Sequence, residues 1–291
     1  MATDKTGAAR NENTLVVHVL NNPQWFHLDA RKRRSVNPAR TRLTFGRHIF
    51  GLAAVIFGAM TWFFRDVDIW PQMQMFGKAS HAGIVYLAAT VALAGGIAIQ
   101  WRGTARIGAG MIGAVYLFSA LCWVPRIFQA PLIYDRWGNF FEPFSIFAAA
   151  SIVYGSMTSP RVARIGVIGF SLSVISFALE QAFYLSATAG FVPKWVPPGQ
   201  MFWAVATTIA FLLAAAAILS GRSALLAARL LTVMLLLFGM IVWIPALFAD
   251  AHSLNNRSET LETFWIAAAA WVLADYVDSG SNRKNRGVPA V

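Results

Sequence analysis

Eight stretches of the chain are apolar on every face for nearly the length of a membrane-crossing helix or more: 46–64, 81–100, 107–125, 142–158, 165–187, 201–220, 226–247 and 263–278. Crossing the hydrocarbon layer takes about 20 residues, with a working range of about 17–25. The fourth and eighth are the shortest, yet Phe144 to Tyr154 carries no charge, and neither does Phe264 to Ala274. A membrane barrel would instead show alternating segments of about ten residues, and that period-two pattern is absent here. The pattern predicts an all-α membrane protein with eight transmembrane helices. Residues 1–45 are polar and basic and read as an N-terminal extension, and 279–291 as a tail. The first apolar run, Thr14 to Leu20, is too short and too late for a signal peptide core.

Composition agrees with this reading and narrows it. Hydrophobic residues make up 57% of the chain and charged residues 13%, against about 45–50% and about 25% in ordinary soluble domains. These values exclude a soluble globular enzyme and a disordered chain. The net charge of +11 does not indicate nucleic-acid binding, because Lys and Arg fall in short clusters between apolar runs. Assigned to alternate loops, 18 of them share a side with the N-terminus and 6 lie opposite. Under the positive-inside rule both termini are cytoplasmic, as in a multi-pass protein of the bacterial inner membrane. The cluster Arg31, Lys32, Arg33, Arg34, with Arg40, Arg42 and Arg47, precedes the first span, and Arg102 and Arg222 sit in tight turns as anchors to anionic headgroups. Trp62, Trp70, Trp101, Trp123, Trp195 and Trp243 fall near span ends, as an interfacial belt requires.

At an offset of 120 residues, 46–150 aligns with 166–270 without a gap. Gly46 pairs with Gly166, Phe50 with Phe170, Arg102 with Arg222, Trp123 with Trp243, Pro125 with Pro245, and Glu142 with Glu262. Apolar composition alone does not readily align Arg, Trp, Pro and Glu in one frame. The expectation is two tandem parallel four-helix bundles, 46–158 and 161–278, because an even number of spans per unit keeps both copies in one direction.

Several residues stand out as chemistry. Trp123-Val124-Pro125-Arg126-Ile127-Phe128 and its counterpart Trp243-Ile244-Pro245-Ala246-Leu247-Phe248 read either as helix ends at the headgroups or as the rim of an outer pocket with Arg126 as an anion contact. Glu142 and Glu262 read either as parts of N-terminal capping boxes, with Asn139 and Glu259 at the cap positions, or as a carboxylate pair facing a shared outer cavity. Glu180 and Gln181 lie inside the fifth span, where an ionisable residue costs at least about 2.5–3.5 kcal/mol near the bilayer centre, and so form a candidate intramembrane polar site. The first copy has Met60 and Thr61 there, which suggests that one half is structural. His48 and His81 fall at opposite ends of their spans and cannot grip one haem. Neither a catalytic residue nor a metal site is assigned. The lone Cys122 excludes an internal disulfide and a paired-cysteine redox centre.

The Gly/Ala-rich second helix, the short turn with Arg102 or Arg222, the third helix closing on Trp-x-Pro-x-x-Phe, the polar loop and the final Ala-rich helix together resemble the DoxX-like family, best over Gly199 to Tyr276. The resemblance implies compact four-helix membrane units and, for the family's named members, association with quinol or thiosulfate-quinone redox complexes. Vitamin K epoxide reductase-like proteins share the four-span layout, but their chemistry needs paired cysteines. The leading expectation is a non-catalytic membrane subunit or lipophile-binding partner with no resident cofactor. The alternatives are a quinone-linked oxidoreductase subunit working with a redox partner protein, and a small-solute or lipid carrier. The lipid bilayer is the one environment common to all three.

Overall fold

The computed structural model describes residues 45–65 and 67–285. The N-terminal extension with its Arg31 to Arg42 cluster, and the tail from residue 286, lie outside the described residues. Within them the secondary structure is helical, with no strand. The helices are α1 (Gly46–Phe64), α2 (Lys78–Ala98), α3 (Ala105–Leu121), α4 (Val124–Gln129), α5 (Asp135–Thr158), α6 (Pro160–Phe183), α7 (Leu185–Phe191), α8 (Gln200–Ser220), α9 (Ala224–Phe238), α10 (Ile244–Ala249) and α11 (Leu254–Asn285). A 3-10 turn at Pro71–Phe76 precedes α2, and a π-helical segment at Gly239–Trp243 joins α9 to α10.

Among the described residues, seven stretches are long and apolar enough to cross a membrane: Gly46–Phe64, Ser80–Ala98, Ala105–Gln129, Asp135–Thr158, Pro160–Phe183, Gln200–Ser220 and Ala224–Ala249. The eighth expected segment, 263–278, lies within α11, whose 32 residues include polar turns at both ends. Large apolar side chains such as Leu52, Leu87, Ile107, Ile165, Leu213 and Leu230 point outward and are exposed. In water such a surface would aggregate; against lipid it is at home.

Packing runs around a closed circuit. α1 packs on α2, α2 on α3, α3 on α5, α5 on α6, α6 on α8, α8 on α9, α9 on α11, and α11 returns to α1. Across the middle α5 meets α11. One core of buried residues draws on both halves of the chain, from Phe50 and Ile112 to Leu231 and Leu273. Small residues set the closest approaches. A Cβ on Gly46 would come 2.8 Å from the Val272 nitrogen, and one on Gly166 would come 2.9 Å from the Ile152 nitrogen. α1 is thus seated on α11, and α6 on α5.

One expectation about helix ends is corrected. α5 begins at Asp135 and α11 at Leu254, so Asn139, Glu142, Glu259 and Glu262 lie one to two turns inside their helices and form no capping boxes. Asn139 instead donates from Nδ2 to the Asp135 carbonyl at 2.6 Å. The Trp-x-Pro motif follows the end of α3 at Leu121 in its first occurrence and begins on the last residue of the π-helical segment in its second, and Pro125 and Pro245 each occupy the first turn of a short helix that carries the chain onward. A first-turn proline lacks only an N–H that would have no helical partner.

Candidate functional site

The end of the bundle opposite the start of α1 contains a cavity of about 330 Å³. The turn before α2, α1, α3, and the first turns of α5 and α11 enclose it. Its acidic lining comes from both halves: Glu142 on α5, Glu259 and Glu262 on α11, and Asp68 from the loop after α1, to which Gln74 donates at 3.1 Å. No Lys or Arg is among the lining residues. Pro143 also lines the cavity, and it has no N–H to give the Asn139 carbonyl one turn above.

Below the carboxylates is a floor of rings. Trp265 is fully buried at the centre of the bundle, with the Tyr116 ring 4.7 Å and the Phe57 ring 5.5 Å from its own. Trp70 packs on both Phe57 and Tyr116 at 5.5 Å. These contacts lock Tyr116 and Trp70 in place, at 3% and 1% exposure, and both line the cavity. The Tyr116 hydroxyl and the Trp70 Nε1 nevertheless have no hydrogen-bond partner among the described residues. An unpaired buried donor costs about 1–3 kcal/mol. On one wall, Gln72 donates to the Ser119 hydroxyl.

The residues singled out in the sequence divide into groups. Glu142 and Glu262 meet on the one cavity. Glu180 reaches toward them from the far side of α5: a Cβ on Gly138 would collide with its carboxyl group, one turn above Glu142. It does not line the cavity. Gln181 turns away to α8, where Thr207 and Thr208 donate to its Oε1 at 3.2 and 3.1 Å. Arg126 braces the rim instead of lining the pocket, stacking over Trp123 at 4.6 Å and donating to the Pro71 carbonyl at 3.1 Å. Arg102 and Arg222 are exposed in their turns at the opposite end. His81 lies near the cavity end and His48 at the other, where His48 Nδ1 pairs with Gln100 Oε1 at 2.8 Å.

Tyr116, Ser119, Trp70 and Gln72 were missed by reading charges alone. A signal for them exists, since at the 120-residue offset they pair with Leu236, Gly239, Gly190 and Val192. The comparison that isolates Glu180 isolates these as well. Compared with known proteins, the chain matches no family model, no curated protein and no solved structure.

Proposed function

We propose that the chain is a non-catalytic integral membrane protein of DoxX-like type, two four-span units in tandem with both termini on the cytoplasmic side of a bacterial inner membrane, and that it binds a small cationic solute in the cavity between α5 and α11. The duplicated architecture is supported by the matching contacts of Gly46 on Val272 and Gly166 on Ile152, which are equivalent at the 120-residue offset and exchange the two halves. Glu142 and Glu262 are equivalent at the same offset, so the carboxylates sit where the halves meet, as substrate sites at repeat interfaces do.

The observation that carries the binding function is three glutamates lining one cavity whose lining residues include no Lys or Arg. Glu142, Glu259 and Glu262 are partly buried; carboxylates drawn from water without a partner are costly, and their charge is balanced by a bound cation or by protons. This lining favours the small-solute reading over the quinone-linked one, because a neutral quinone offers nothing to offset the charge. The test is retention of radiolabelled sodium, calcium and amines by the full chain in nanodiscs, wild type against the double variant Glu142→Gln, Glu262→Gln. Retention lost in the double variant is the expected result; equal retention by both proteins overturns the cation site.

A further inference from the structure

We propose that the solute is an organic ammonium compound with an apolar body, held by its charge on Glu142, Glu259 and Glu262 and by its body against Trp70, Tyr116 and Trp123. This rests on the cation-site reading above and narrows it. Three observations set the class. First, no group of three His, Cys, Asp or Glu among the described residues converges as a metal ion requires. The carboxylates border a space of about 330 Å³, at the lower end of the range of small-molecule pockets and far larger than an ion. Second, the indole and phenol rings share that space with the carboxylates. An aromatic face attracts a cation and also shelters its alkyl or aryl groups, a combination that an inorganic ion cannot use fully. Third, Tyr116, one of the lining residues, has a buried hydroxyl with no hydrogen-bond partner among the described residues. A hydroxyl can accept from an ammonium N–H, so this group has a role with an amine ligand that it lacks without one.

The lining also explains the selectivity expected. With negative charge on α5 and α11 and rings below, a neutral molecule of the same shape gains the apolar contact but leaves the carboxylates unbalanced. The probe pair is therefore 2-phenylethylamine and 2-phenylethanol, alike in shape and different in charge.

Isothermal titration of the full chain in nanodiscs at neutral pH tests this with the two probes, sodium and calcium. The amine is expected to bind at least about tenfold more tightly than the alcohol, and to weaken at least about tenfold in Glu262→Gln and in Trp70→Leu, each variant being checked for an unchanged melting profile. Tyr116→Phe, which removes one hydroxyl and keeps the ring, guards against a Trp70 variant that fails to fold and should weaken the amine severalfold. Sodium or calcium binding that depends on Glu262, with no competition from the amine, overturns the ammonium assignment and leaves the cation site standing. Equal binding of amine and alcohol, or amine binding unchanged in Glu262→Gln, also overturns it. Absence of any glutamate-dependent cation binding overturns both readings.

Discussion

Glu180 and Gln181 are chain neighbours, but successive residues of a helix point about 100° apart, and the two side chains serve different contacts. Gln181 ties α6 to α8 through Thr207 and Thr208. Interhelical hydrogen bonds in membranes average about 0.6 kcal/mol and reach about 1.7. Replacing Gln181 by Leu should therefore lower unfolding stability in detergent by about 1 kcal/mol and leave cation retention unchanged; a loss of retention would assign Gln181 to the site. Tyr116 is expected to behave in the opposite way. Its hydroxyl has no partner among the described residues, so Tyr116→Phe should leave the ligand-free protein as stable as wild type or slightly more so. A fall of 1 kcal/mol or more in chemical denaturation would mean that the hydroxyl is already satisfied. The carboxylates of the site were legible in the sequence because a charge next to an apolar run stands out. Tyr116 and Ser119 were not, since one phenol and one hydroxyl barely alter the hydropathy of Ala105–Leu121. Only their register partners Leu236 and Gly239 mark them.

At the scale of elements, close approach and helix length decide what the apolar runs leave open. Gly46 and Gly166 each let a helix backbone rest on another. Valine at either position would force the helices apart, and overpacking of this kind costs about 1–3 kcal/mol. Gly46→Val and Gly166→Val should each lower the melting temperature in detergent, and by similar amounts if the two contacts are equivalent; a loss confined to one would argue against equivalent halves. The spans themselves were readable, because lipid-facing helices must be apolar throughout. Their beginnings were not. Asp135 to Phe141 and Leu254 to Leu261 are helical although polar residues interrupt them, and residues from these stretches line the cavity together with the loop before α2. Hydropathy reports where lipid is, whereas the helix continues for as long as its neighbours hold it. That extension carries Glu142 and Glu262 off the helix starts and onto the facing surfaces of α5 and α11.

For the molecule as a whole, the disposition of α11 determines the topology. Its 32 residues span about 48 Å at 1.5 Å per residue, longer than a hydrocarbon layer of about 30 Å. The excess falls on polar turns: Leu254 to Glu262 bears the cavity carboxylates, and the stretch after Tyr276 bears Asp278 and Asn282. Between them Trp265 to Leu273 is apolar and largely buried among other helices, so this stretch faces protein more than lipid. A helix shielded in this way can cross with a modest mean hydropathy. At its far end Asp275 accepts the backbone N–H groups of Gly46 at 2.8 Å and Phe45 at 3.2 Å, and Asp278 pairs with Arg229 at 3.5 Å. The first turn of α1 and the last turns of α11 therefore lie together, at the end away from the cavity. Reporter fusions at Met75, Asp135, Val192 and Asn255 should share one compartment, and fusions at Gly103, Arg222 and Asn285 the other. A fusion at Asn285 that sides with Asn255 would mean that α11 does not cross, and with it the even number of crossings would fail.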